Sequence, residues 1–188
     1  MSVTEWIDQA MTGLGQGCIV VVEKTEANLR WANNALTTNG QTRNRVATVV
    51  VYRDQDEVVE SAPIDSAADL AALVAKAGGS GRALPVYEAD QDYSLPADTT
   101  SIGVFTDLAS GLGSQFARAE ASGVKLFGFA EHHLSTVWVA TSAGRRRRAV
   151  IPMGRLELNA KASDPANSAW VGRATRDFSD VDISELCA

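Results

Sequence analysis

Cys18-Ile19-Val20-Val21-Val22-Glu23-Lys24-Thr25 is the stretch that decides the fold. Four of its first five residues are β-branched, and the apolar run is continuous rather than alternating, which is how a buried strand reads. Upstream, residues 4–11 carry Trp6, Ile7, Ala10 and Met11 on one helical face, with Thr4 as the expected N-cap. Gly13, Gly15 and Gly17 end that short amphipathic helix. Downstream, residues 29–36 and 46–53 predict two more strands, with Thr37-Thr38-Asn39-Gly40 supplying turn chemistry before the second. Residues 57–61 close a meander. Connections this short leave no room for helical crossovers, so the pairings should be antiparallel.

The composition then changes. Ser66 caps an alanine-rich stretch whose Leu70, Leu73, Val74 and Ala77 recur at three- and four-residue spacing, and Gly78-Gly79 stops it. Residues 78–100 are rich in Gly, Pro, Asp and Ser and show no period, so they predict a loop, an internal boundary and the most mobile internal segment. A second helix is expected over 106–122. Strands follow at 124–131, 136–141, 145–162 and 168–175, broken by Ser142-Ala143-Gly144 and Asp164-Pro165. Strands, then helices, then strands give an α+β class: a largely antiparallel β-sheet built from two strand blocks with two main helices packed on it.

The 188 residues, 45% hydrophobic and 21% charged with a net charge of −6, describe a globular chain long enough to bury a core. They exclude disorder, collagen and small disulfide scaffolds. The longest apolar run is the five residues from Cys18, far short of the ~18–20 that a membrane helix needs, and the acidic start MSVTEWIDQAM lacks the basic region of a signal peptide. Two cysteines are too few for a framework, so a reduced, cytoplasmic protein is expected. Residues 54–131 hold 13 acids against 4 bases, whereas 132–188 hold 8 bases against 6 acids. Net acidity argues against direct nucleic-acid binding.

Arg145, Arg146, Arg147 and Arg148 are the one strong basic feature. They read either as a solvated strand or as a clamp for a carboxylate or phosphate. Alternation puts only two of the four on any one face. His132 and His133, the only histidines, are adjacent and therefore point to opposite sides of a strand. Metal chelation by one strand needs i, i+2 spacing, so they read as a hairpin tip or as packed polar groups before they read as ligands. Cys18 opens an apolar strand and reads as core, and the lone Gly111-Leu112-Gly113 is too little for a phosphate loop. Asp90, Asp92 and Asp98 read as solvated surface, lacking calcium-loop spacing. Trp31, Trp138 and Trp170 read as core or interface packing, or as a groove that stacks on ligand side chains. No self-contained catalytic or metal site emerges.

The second half carries a resemblance. Glu131-His132-His133 before a Thr/Val/Trp strand, Thr141-Ser142-Ala143-Gly144 followed by basic residues, Leu156-Glu157-Leu158-Asn159 and Ser168-Ala169-Trp170-Val171-Gly172 resemble the N-terminal half of the TldD/PmbA proteins, also called modulators of DNA gyrase. The earlier helix and strand order fits as well, so the likeness covers nearly the whole chain. It implies a single N-terminal α+β domain over 1–177 and a linker over 178–188 toward an absent C-terminal metal-binding domain. It further implies a cytoplasmic metallopeptidase system for peptide maturation or degradation, in which this region binds extended peptide and pairs with a second TldD/PmbA-like subunit as a homo- or heterodimer. The family's His-Glu-x-x-x-His motif does not occur here. No catalytic residue carries over, the chain alone is expected to be inactive, and zinc is implied only for the absent half of an active member. The alternative is a stand-alone binding or regulatory module that holds acidic ligands on Arg145, Arg146, Arg147 and Arg148.

Overall fold

The computed structural model describes residues 1–53, 56–78, 85–162, 164 and 167–188. Helix α1 (Val3–Met11) is capped by Ser2, which forms a reciprocal capping box with Glu5. The cap lies two residues before the expected Thr4, whose side chain is instead buried. Strands β1 (Gly17–Ala32) and β2 (Ala35–Tyr52) are each far longer than the sequence pattern predicts. They join at Asn33-Asn34, both in the left-handed region at φ 52° and 61°, rather than at residues 37–40. Asparagine tolerates that region better than other residues with a Cβ, which lets two of them make a tight hairpin turn. Asn34 is fixed from three sides: its Nδ2 donates to Val124 O and Glu120 Oε2, and its Oδ1 accepts the Leu126 N–H at 2.7 Å. Polar residues 37–42 therefore continue the strand on an exposed stretch.

Strand β3 (Glu57–Pro63) pairs antiparallel with β2, placing Val50 opposite Val59. Helix α2 (Ala67–Lys76) is capped by Ser66, as its sequence predicts, and Asp69 completes a second capping box. Part of the loop expected at 78–100, residues 79–84, lies outside the described residues. The rest includes β4 (Glu88–Ala89), a two-residue strand parallel to Arg145 and Arg146. A 3-10 turn (Ile102–Phe105) runs into α3 (Thr106–Ala121). The two strands expected after α3 are one continuous strand, β5 (Lys125–Thr141), so His132 and His133 lie in mid-strand and not at a hairpin tip. Gly144, at φ 84°, closes the turn into β6 (Arg145–Lys161), which pairs antiparallel with β7 (Ser168–Thr175). The sheet order is β3-β2-β1-β5-β6-β4, with β7 also on β6. Only β4 breaks the antiparallel pattern.

The chain forms two compact units. Unit 1 comprises Met1–Lys24, Arg43–Asp98 and Ser135–Ile151; unit 2 comprises Thr25–Thr42, Thr99–Leu134 and Pro152–Ala188. In unit 1, Ile7, Met11, Leu70 and Val74 of the helices pack on Ile19, Val21, Val49 and Trp138 of the strands. In unit 2, Phe105, Leu112 and Phe116 pack on Trp31, Leu126 and Leu156. Each such large side chain contributes roughly 1.5–3 kcal/mol by leaving water. Gly128 is required in unit 2, because a Cβ there would collide with Glu157 O and the Trp31 ring. Within residues 178–188, Phe178 packs edge-to-face on Phe105 at 5.1 Å, and the short helix α4 (Ile183–Leu186) buries Ile183.

Candidate interaction surfaces

Alternation along β6 divides the four arginines as the sequence predicts, but all of them have internal acidic partners. Arg146 is buried, its Nε donates to Asp8 Oδ1 at 2.7 Å, and its Nη1 donates to the carbonyls of Thr141 and Arg145. Arg148, whose side chain is also buried, donates to Asp92 Oδ2 at 3.1 Å, Pro96 O at 2.8 Å and Asp98 Oδ2 at 2.5 Å. The outward pair, Arg145 and Arg147, both reach Glu88, and Arg147 also reaches Asp90 at 3.4 Å. Asp90, Asp92 and Asp98 are thus counter-ions that tie the segment after residue 85 to β6, rather than free solvated charges. The inward pair is committed to holding that segment. The phenol of Tyr93, buried beside this network, is pushed above its ordinary range by burial and by the Asp8 carboxylate.

The histidines are packed polar groups. His132 Nε2 lies 2.9 Å from Arg176 O, a carbonyl that can only accept, so Nε2 carries the proton; Nδ1 lies 2.6 Å from Thr100 Oγ1. On the opposite strand face His133 Nδ1 is 3.2 Å from Glu26 Oε2. Among the described residues no three His, Cys, Asp or Glu side chains group as metal ligands. Both nitrogens of His132 are engaged by protein.

The structure adds a sheet face to which the sequence pattern assigns no role. In unit 1, α1 and α2 pack on one face of the strands, and alternation sends Val20, Val22, Val46, Val50, Val137 and Val139 to the other. Val59 is 55% and Ile151 56% exposed on that same face. Val46 is also exposed there, whereas Val20, Val22, Val50, Val137 and Val139 are half-buried. The signal was present: the runs VVV in β1, VVVY in β2 and VV in β3 are apolar at consecutive positions, so they place apolar side chains on both faces. Unit 2 instead places Phe127, Phe129, Arg30, Arg155 and Lys161 on its second face, with Arg30 and Arg155 flanking the Phe129 ring at 6.0 and 5.5 Å.

Unit 2 also holds a cleft of about 420 Å³ between α3 and the strands, lined by Gln115, Arg118, Leu126, Leu158, Trp170 and Cys187. Gln115 Oε1 is buried there without a hydrogen-bond partner. Burial raises the Cys187 thiol pKa, opposed by Arg118. The outer edge of β7 pairs with no other described strand.

Solved structures share this architecture. TldE from Thermococcus kodakarensis superposes with a TM-score of 0.70 over the whole chain at 12% identity. The fold is that of the modulator-of-DNA-gyrase proteins of the TldD/PmbA type. A protein described as a modulator of a DNA gyrase from Thermotoga maritima aligns with a TM-score of 0.68 at 16% identity over 99% of the chain. One described as a modulator of DNA gyrase from Bacteroides thetaiotaomicron aligns with 0.57 at 10% identity over 95%. The chain spans 46% of the length of each of these TldD/PmbA-type structures. No protein-family model matches the chain, and no curated protein matches it in sequence. No helix among the described residues is long and apolar enough to cross a membrane.

Proposed function

We propose that the chain is the N-terminal peptide-binding and subunit-interface region of a TldD/PmbA-like cytoplasmic metallopeptidase complex. The second, valine-rich face of unit 1, exposed at Val46, Val59 and Ile151, carries this reading. A soluble monomer seldom leaves a contiguous apolar patch of that kind open to water, and a second TldD/PmbA-like subunit seated on it removes the cost. Arg145 and Arg147 border the same face and set a charged rim around it. Peptide binding is served in unit 2, where an extended segment adds backbone hydrogen bonds to the open edge of β7 and places an apolar side chain in the adjoining cleft. The chemistry of hydrolysis belongs to a zinc site elsewhere in the complex, since the histidines of this chain serve packing.

Sedimentation velocity tests the interface. The chain should associate with itself or with a purified TldD-type subunit, and the double variant Val59→Asp, Ile151→Asp should stay monomeric with an unchanged melting temperature. A chain that remains monomeric against both partners at high micromolar concentration overturns the proposal.

A further inference from the structure

Glu23 is the only acidic side chain among residues 17–24 of β1, and it points into the core layer beside Ile19 and Val21, fully buried. A carboxylate in that position is costly unless cations hold it. Arg45 holds one oxygen, Oε2, with Nε at 2.8 Å and Nη2 at 2.5 Å. Arg43, two residues earlier on the same face of β2, reaches the other oxygen, Oε1, at 2.5 Å. The two arginines differ in exposure: the Arg45 side chain is 14% exposed and lies over the Trp6 ring at 4.8 Å, whereas that of Arg43 is 61% exposed. Two guanidinium groups thus face one carboxylate.

They do so at a cavity of about 180 Å³ whose walls include Trp6, Pro96 and Trp138. The volume is that of a few water molecules, at about 30 Å³ each. A separate hollow, lined by Arg43, Asn44, Arg45 and Asp65, has a second carboxylate on its wall. An oxyanion is the charge that two guanidinium groups leave unmatched by Glu23, and the fork of a guanidinium suits a planar carboxylate. Aromatic and proline walls favour a group with a short apolar stem over a fully hydrated anion such as phosphate.

We propose that this cavity of unit 1 is a receptor for the carboxylate of a small organic acid, with Arg43 as the binding residue and the Glu23–Arg45 pair as the fixed base that orients it. Neither the subunit interface nor the β7 edge uses these residues, so this site stands or falls apart from the function proposed above.

Butyrate is the probe, followed through the indole ¹H–¹⁵N signals of Trp6 and Trp138 in the full chain. Butyrate should shift both signals saturably, inorganic phosphate should shift them less at equal concentration, and butylamine should leave them in place. Arg43→Ala should weaken butyrate at least tenfold, and Arg43→Lys, which keeps the charge but loses the fork, should weaken it less. No saturable shift with butyrate, equal shifts with butylamine or phosphate, or unchanged affinity in Arg43→Ala would overturn the assignment. Arg43 is exposed and Arg45 still pairs with Glu23 in its absence, so the variant should keep the fold.

Discussion

The two units use the same sheet chemistry differently on their second faces. In unit 1 both faces of the strands are apolar, helices cover one, and Val20, Val22, Val50, Val137 and Val139 occupy the other. In unit 2 the helix-covered face is equally apolar, but the second face alternates Phe127 and Phe129 with Arg30, Arg155, Lys161 and Glu131, which pair with one another and stack on the rings. A face of that second kind is stable against water, because long charged side chains cover the aromatic surface with their stems and keep their heads solvated. A valine face has no such cover. On the proposed reading, the difference puts the partner surface in unit 1 rather than unit 2.

The sharpest way to break this contrast is to place one charge on each face of unit 1. Val49→Asp, on the helix-covered face, should abolish cooperative folding or cost about 4 kcal/mol or more in urea denaturation, since it buries a carboxylate without a partner. Val59→Asp, on the open face, should stay within about 0.5 kcal/mol of wild type. Comparable losses at both positions would mean that Val59 is as buried as Val49, and the exposed part of the second face would disappear with it.

A smaller effect is expected on the second face of unit 2. Phe129→Ala removes the ring between Arg30 and Arg155, each cation contributing about 0.5–1 kcal/mol at an exposed site. The loss should appear in chemical denaturation and leave sedimentation unchanged. A Phe129→Ala chain that loses self-association would move the interface to unit 2.

Smallest is the acid limb of the stability curve. The Asp69 carboxyl is held below its usual range by hydrogen bonds from the Asp65 N–H and from Ser66. A depressed folded-state value stabilises the fold above the unfolded value of about 3.9, and that stability is lost as pH falls through the folded value. Asp69→Asn should therefore flatten the decline of the melting temperature below pH 4, in unit 1. Asp182 caps α4 in the same manner in unit 2, with hydrogen bonds from Ser184 holding its carboxyl low, so Asp182→Asn should flatten the decline for that unit. A decline of unchanged steepness in both variants would remove the caps from the account.

Much of the fold was legible in local chemistry. Ser66 announced α2 because an N-cap is satisfied within four residues. Gly144 announced the β5–β6 turn because its φ of 84° disfavours any side chain. The facial split of Arg145, Arg146, Arg147 and Arg148 followed from the two-residue period of a strand. Less was legible at Asn33-Asn34, where no glycine marked the turn and the fixing partners, Glu120, Val124 and Leu126, lie some 90 residues away. The single long β5 was hidden in the same way, because a polar stretch at Glu131, His132 and His133 looks like a break until Thr100 and Arg176 are brought beside it.

By itself, then, the sequence determined the α+β class, the three longer helices, the turn at Gly144 and which residues alternate, since each depends on neighbours within a few positions along the chain. Tertiary structure alone decided which arginines are matched by carboxylates and which are not. Arg146 and Arg148 meet Asp8, Asp92 and Asp98 across loops, while Arg43 and Arg45 share the single carboxylate of Glu23. Charge matching depends on distance in space, and a strand pattern specifies the direction of a side chain but not what stands opposite it.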